Sequence, residues 1–84
     1  MEELKTIRNL TDEEITLVEL INKINDLCGY DITDFISYEE LLESSNINFT
    51  LDNDITINVT FTVVRFDEIN PEESDITVSE ADIL

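Results

Sequence analysis

At Ile47 the apolar residues of this chain change period, and that change limits the fold more than any other feature. From there on, apolar and polar residues alternate: Ile47, Phe49 and Leu51 are interleaved with Asn48 and Thr50, and Ile55, Ile57, Val59, Phe61 and Val63 with Thr56, Asn58, Thr60 and Thr62. A period of two puts every second side chain on one face of a strand, so both runs read as half-buried strands. Asp52-Asn53-Asp54 between them is the turn of a β-hairpin. The phase breaks at Val63-Val64, after which Val64 and Phe66 carry the apolar positions, so either a β-bulge lies there or the strand end is buried on both faces, and the bulge is the favoured reading. The stretch from Asp67 to Asp75 holds Asn70-Pro71 and five carboxylates and reads as a solvated loop, after which Ile76-Thr77-Val78 resumes the alternation as a third strand.

Before Ile47 the pattern is helical. In Leu10-Thr11-Asp12-Glu13-Glu14-Ile15, Thr11 has the position of an N-cap and Glu14 that of its reciprocal partner, with Leu10 and Ile15 as a hydrophobic staple. Ile15, Leu17, Val18, Ile21, Ile24 and Cys28 follow at helical spacing, and Gly29 stands where a left-handed C-terminal residue is wanted. The pattern predicts a helix over about residues 12 to 28. The device repeats at Ile36-Ser37-Tyr38-Glu39-Glu40-Leu41, which predicts a second, shorter helix ending near Ser44-Ser45-Asn46. Tyr30, Ile32, Phe35 and Ile36 are apolar stations in the connection between the two, expected to tuck against the core.

The expected fold is therefore α+β: two N-terminal helices on one face of a small antiparallel sheet made of the hairpin and a third strand. With 84 residues the whole chain, 1–84, is expected to be a single domain with one modest core. Apolar residues make up 42% of it, enough for a core despite a net charge of −17 that would otherwise favour disorder. So high a charge repels itself, and stability is expected to rise with added salt. The outward sheet face would be a row of Thr and Asn, ordinarily just solvated.

Composition also removes chemistries. The absence of histidine takes away the commonest general base and metal ligand and every Ser-His or Cys-His pair. One glycine excludes the glycine-rich phosphate loops, and one cysteine excludes four-ligand zinc sites of the cysteine kind. Asp52-Asn53-Asp54 opens like an EF-hand loop, but Ile57 stands where that loop needs glycine and Val63 where it needs glutamate. Cys28, at a helix C-terminus with no basic neighbour, is read as core and not as a nucleophile. No cofactor or metal is expected, and a binding protein is expected in preference to an enzyme. The Asn-x-Thr triplets at Asn9, Asn48 and Asn58 carry no functional weight, because nothing resembles a secretory leader or a membrane span; a cytoplasmic protein in a reducing compartment is the expectation.

The acids are unevenly placed. Residues 1 to 23 hold six acids and three bases, whereas residues 24 to 84 hold fifteen acids and one base, Arg65. A surface built only for solubility mixes both signs, so the long uncompensated stretch points to a partner of opposite charge. Carboxylates three or four apart on a helix, or two apart on a strand, lie roughly 5 to 7 Å apart, comparable to successive phosphates of a nucleic-acid strand. Asp31, Asp34, Glu39, Glu40 and Glu43 around the second expected helix, with Asp67, Glu68, Glu72, Glu73 and Asp75 in the late loop, are the candidate partner-binding residues, extended by Glu80, Asp82 and the terminal carboxylate.

A small, very acidic α+β chain with few bases, no histidine and an acidic ending resembles the phage-encoded inhibitors that mimic DNA, among them the anti-CRISPR proteins and the uracil-DNA glycosylase inhibitors. The ending Ile76-Thr77-Val78-Ser79-Glu80 is similar to the strand-then-acid tails of some inhibitors of RNA-guided CRISPR nucleases. The resemblance implies a viral inhibitor, working in a bacterial host cell, that fills an Arg- and Lys-lined cleft of a nucleic-acid-binding protein such as a CRISPR effector nuclease and keeps the duplex from docking. It would bind no nucleic acid and no membrane itself. Two other readings stay open. Leu10-Thr11-Asp12-Glu13-Glu14 followed by an amphipathic helix is similar to the first helix of nuclease-colicin immunity proteins, which implies an immunity or antitoxin protein against a basic nuclease toxin. A structural or assembly subunit would use the Thr and Asn face, with homo-oligomerisation as its mark.

Overall fold

The structure, a computed structural model, describes residues 2–32 and 46–84. Among these, two helices and four strands follow in the order α1 (Glu2–Arg8), β1 (Glu14–Thr16), α2 (Leu17–Cys28), β2 (Asn46–Thr50), β3 (Thr56–Arg65) and β4 (Asp75–Ile83), with a 3₁₀ turn over Pro71–Glu73. The fold is α+β, as expected, with the helices N-terminal to most of the sheet. The expected second helix after Ser37 lies outside the described residues.

The alternating segment folds as its pattern requires. β2 and β3 pair antiparallel from Asn46 opposite Thr60 to Thr50 opposite Thr56. Ile47, Phe49, Ile57, Val59 and Phe61 all point into the core. The bulge at Val63-Val64 is present: Val63 faces Ile76 and Arg65 faces Asp75, leaving Val64 unmatched. A second irregularity lies on β4, where Thr60 faces Glu80 and Phe61 faces Val78, so Ser79 is the extra residue. Its hydroxyl donates to the Thr60 carbonyl at 3.1 Å, meeting an acceptor that the broken ladder would leave open.

β4 is longer than Ile76-Thr77-Val78 and occupies an interior position in a sheet of order β1-β4-β3-β2. The fourth strand is the larger surprise. β1 pairs antiparallel with β4, Ile15 opposite Ile76, and Thr11 forms a parallel bridge to Val78. Thr11 is therefore not a helix cap, and the helix expected from residue 12 starts at Leu17. Asp12 is in the left-handed region with φ of 70°, and its amide donates to the Val78 carbonyl at 3.3 Å. The cap is Thr16, whose hydroxyl accepts from the Glu19 amide at 3.3 Å. Thr16-Leu17-Val18-Glu19 is itself a Thr-x-x-Glu pattern, with Ile15 and Leu20 in the staple positions. Two equal local signals compete, and the one that wins leaves residues 11–16 free to cover the edge of β4, whose backbone groups would otherwise be unpaired.

Helix α1 was not expected. Leu4 and Ile7, three apart, are buried, while Glu2 and Glu3 sit in the first turn and Lys5 and Arg8 in the last, each sign complementing the helix dipole. The helix lies against β4 beyond the reach of β1. There the Arg8 guanidinium donates from Nε to the Ala81 carbonyl at 2.9 Å and pairs with Asp82 at 3.1 Å, so a side chain covers what β1 is too short to pair.

Helix α2 buries Leu17, Leu20, Ile21, Ile24 and Cys28 against the sheet and ends at Gly29, whose φ of 81° satisfies the expected left-handed termination. The chain then folds back on the helix. The Asn25 side chain accepts from the Ile32 amide at 2.8 Å and donates to Asp31 at 3.1 Å, and the Tyr30 hydroxyl accepts from the Thr50 amide at 3.2 Å. Ile32 is buried, whereas Tyr30 is largely exposed; Phe35 and Ile36 fall outside the described residues. Seventeen apolar side chains from α1, α2, the turn after it and β2 to β4 form one continuous buried cluster. The opposite sheet face is polar and tied within itself: Asn58 donates to Asn48, Thr60 to Asn58 at 3.3 Å, and the Thr50 and Thr56 hydroxyls share a bond of 3.0 Å.

Candidate functional site

The loop between β3 and β4 carries the densest group of candidate carboxylates, and its shape follows from two polar side chains. Ser74 is fully buried, and its hydroxyl accepts from the Asp67 amide at 2.9 Å. Asp67 in turn accepts from the amides of Ile69 at 3.0 Å and Asn70 at 2.9 Å. Pro71 then opens the 3₁₀ turn, closed by donation from Ser74 to the Pro71 carbonyl, and the Ser74 carbonyl accepts from Leu17 at 2.8 Å. The loop is thus bolted to the first residue of α2, and proline at the start of the turn restricts it further.

Of the five candidates in this loop, two are occupied in holding it. Asp67 makes the bonds just described, and Asp75 receives the Arg65 guanidinium at 2.7 Å. That hydrogen bond is the main influence raising the Arg65 pKa above its already basic value, followed by the charge of Asp75 and, less strongly, those of Asp67 and Glu14. Glu14 therefore belongs to the same neighbourhood. Sequence reasoning missed it there, because it assigned Glu14 to a helix cap, when it pairs as a strand residue opposite Thr77. Glu68 and Glu73 are exposed and Glu72 is half-buried, and no bond from their carboxylates is seen among the described residues. Asp75, Asp67 and Glu14 thus surround one cation, Arg65, whose charge Asp75 already engages, and Glu68, Glu72 and Glu73 form no ion pair among the described residues.

Asp31 does not join this group. It follows α2 beside Tyr30, which bonds to Thr50 at the hairpin end of the sheet, whereas the late loop leaves β3 at Arg65. The two ends are separated by the length of β3, roughly 30 Å at the usual rise per strand residue. Asp34, Glu39, Glu40 and Glu43 lie outside the described residues. On β4, Glu80 and Asp82 share the polar sheet face with Thr60 and Asn58 opposite them and are about 7 Å apart along the strand. Asp82 is partly neutralised by Arg8. The remaining described acids come in twos: Glu2 and Glu3 on α1, Asp12 and Glu13 before β1, Glu19 and Asp26 on α2, and Asp52 and Asp54 in the hairpin turn.

Nothing else among the described residues gathers chemical groups. No cluster of three or more metal-ligating side chains occurs there, and Cys28 is buried. A shallow cleft of about 280 Å³ lies between α2 and the chain before it, lined by Leu10, Ile15, Glu19, Asn22, Lys23 and Asp26. All four of its polar residues are exposed, so it holds no desolvated group that would select a ligand. No described helix is long and apolar enough to cross a membrane. No protein-family model matches this chain, and neither does any curated protein or solved structure.

Proposed function

We propose that this chain is an inhibitor that binds the basic nucleic-acid cleft of a nuclease, its carboxylates standing in place of phosphates. The observation that carries the reading is the state of the charges around the late loop. Glu68, Glu72 and Glu73 sit on a braced loop without an ion pair among the described residues, and Arg65, the base that precedes the loop, is already bound to Asp75. Carboxylates without a local counter-charge gain most from an external one, and a rigid support reduces the entropy lost when a partner supplies it. Glu80 and Asp82, at strand spacing, extend the display toward the chain end. An RNA-guided CRISPR nuclease, with its Arg- and Lys-lined duplex channel, has the kind of surface this display fits. The similarity to immunity proteins is weakened, because the residues that carried it, Thr11 to Glu14, form a bridge and the start of a strand instead of a helix.

The reading is tested by displacement. A catalytically inactive RNA-guided nuclease is loaded with labelled duplex DNA, and the protein is added at several salt concentrations. Release of DNA is expected, with an affinity that falls by roughly 0.7 to 0.9 log units per log unit of salt for each charge pair formed. Formation of a ternary complex with the DNA still bound would refute phosphate mimicry.

A further inference from the structure

The end of β3 and the loop that follows it expose apolar side chains that acid display does not use. Ile69 is 87% exposed, Val64 54% and Phe66 41%. Single exposed apolar residues are ordinary, but these three lie within six residues, and half of the large apolar side chains exposed among the described residues are here. The bulge accounts for part of this. By inserting Val64 between the pairs Val63–Ile76 and Arg65–Asp75, it carries Val64 and Phe66 past the end of the buried ladder, where Val63 is the last residue packed on the core. Ile69 has a different cause. Its amide donates to Asp67 within the loop's turn, and its side chain stands in solvent there.

We infer that Val64, Phe66 and Ile69 are apolar anchors, and that the loop docks on a cationic amphipathic surface of a partner protein, one that offers aliphatic or aromatic side chains flanked by arginine or lysine. This rests on the proposed basic partner and adds what that partner must present. The complementarity follows from the order of residues at the end of β3 and in the loop: apolar residues at 64, 66 and 69, carboxylates at 67, 68, 72 and 73. A purely phosphate-reading groove has no use for the former, and a neutral apolar pocket would have to desolvate the latter. Apolar anchors inside a charged rim are the usual source of affinity in a protein interface, the rim giving steering and orientation.

The test uses the full chain with two synthetic probes, an amphipathic helical peptide of leucine and arginine and an arginine-serine peptide of the same charge, followed by fluorescence anisotropy and by methyl NMR. The leucine-arginine peptide is expected to bind the natural chain roughly tenfold more tightly than Ile69→Ser, as for loss of one buried aliphatic side chain, and to shift the Ile69 methyl signals. The arginine-serine peptide should bind both chains alike. Val64→Ser, tested in parallel, should show a loss in the same direction, and the exposure of both residues leaves the melting temperature unchanged. Equal binding of the leucine-arginine peptide to all three chains, or binding that leaves the Ile69 methyls unmoved, overturns the anchor inference alone. If neither peptide binds in a salt-dependent way, the basic-partner reading fails and the anchor inference fails with it.

Discussion

The β3–β4 ladder and the loop that joins its two strands are built from adjacent residues and are held by different forces. In the ladder, Val59, Phe61, Val63, Ile76, Val78 and Ala81 spend their side chains on one another and on the helices above, and the side-chain bonds of the polar face run within β3 and across to β2. In the loop, one buried hydroxyl and one carboxylate organise nine residues, while acids and large apolar groups are turned outward. The contrast teaches that order and burial are separate: the loop is well bonded yet buries almost nothing but Ser74. Such a segment adds little apolar burial to the core, and as a preformed surface it would lose less freedom on binding a partner.

Substitutions should separate the two regions. The largest effect is expected for Phe61→Ala, which removes a fully buried ring from the ladder and should cost about 3 to 5 kcal/mol in a urea titration, with partner binding per folded molecule unchanged. Ser74→Ala should follow. It leaves the Asp67 amide without its acceptor, costing about 1 to 3 kcal/mol, and unlike Phe61→Ala it should also weaken binding, since the loop loses its brace. Thr16→Ala should cost about 1 kcal/mol as a lost cap, while Thr11→Ala should stay within about 0.5 kcal/mol. Reversal of that order would restore the helix start at residue 12. The smallest effect on stability belongs to Glu68→Lys, Glu72→Lys and Glu73→Lys together. At low salt this change should leave the melting temperature unchanged or raise it, because it reduces self-repulsion in a chain of net charge −17; a clear fall would assign those carboxylates a structural role.

The parts of this fold that were legible in the sequence are those whose cause is local. Alternation over 47–63 specifies the hairpin, its buried face and the bulge at Val64, because side-chain period and strand geometry are the same fact. Gly29 marks its helix end because few other residues tolerate its φ. Residues 11 to 16 were misread for the opposite reason. Thr11-x-x-Glu14 and Thr16-x-x-Glu19 are equivalent to any local rule, and the choice between them is made by β4, more than sixty residues along the chain. The order β1-β4-β3-β2 shares that origin, since only a tertiary contact places the last strand inside the sheet. The short helix α1 left a weaker trace, Leu4 and Ile7 between acids before and bases after, too brief to stand out without the strand it covers. For the candidate site, the grouping of Asp67 to Asp75 could be read from chain order alone. The bond of Asp75 to Arg65, the use of Asp67 in the turn and the arrival of Glu14 depend on strand register, which spacing does not encode.

Whether the loop is a binding surface or merely part of a charged exterior is decided most directly by comparing two sets of reversals with the same change in net charge. Glu68, Glu72 and Glu73 are changed to Lys in one protein; Glu2, Glu13 and Asp26, one each from α1, the chain before β1 and α2, are changed to Lys in the other. Each is titrated against the nuclease–DNA complex. A loop-centred interface predicts that the first set loses displacement by about tenfold or more while the second nearly keeps that of the natural chain. Equal losses in both would mean that only total charge matters and that this loop has no special part in binding.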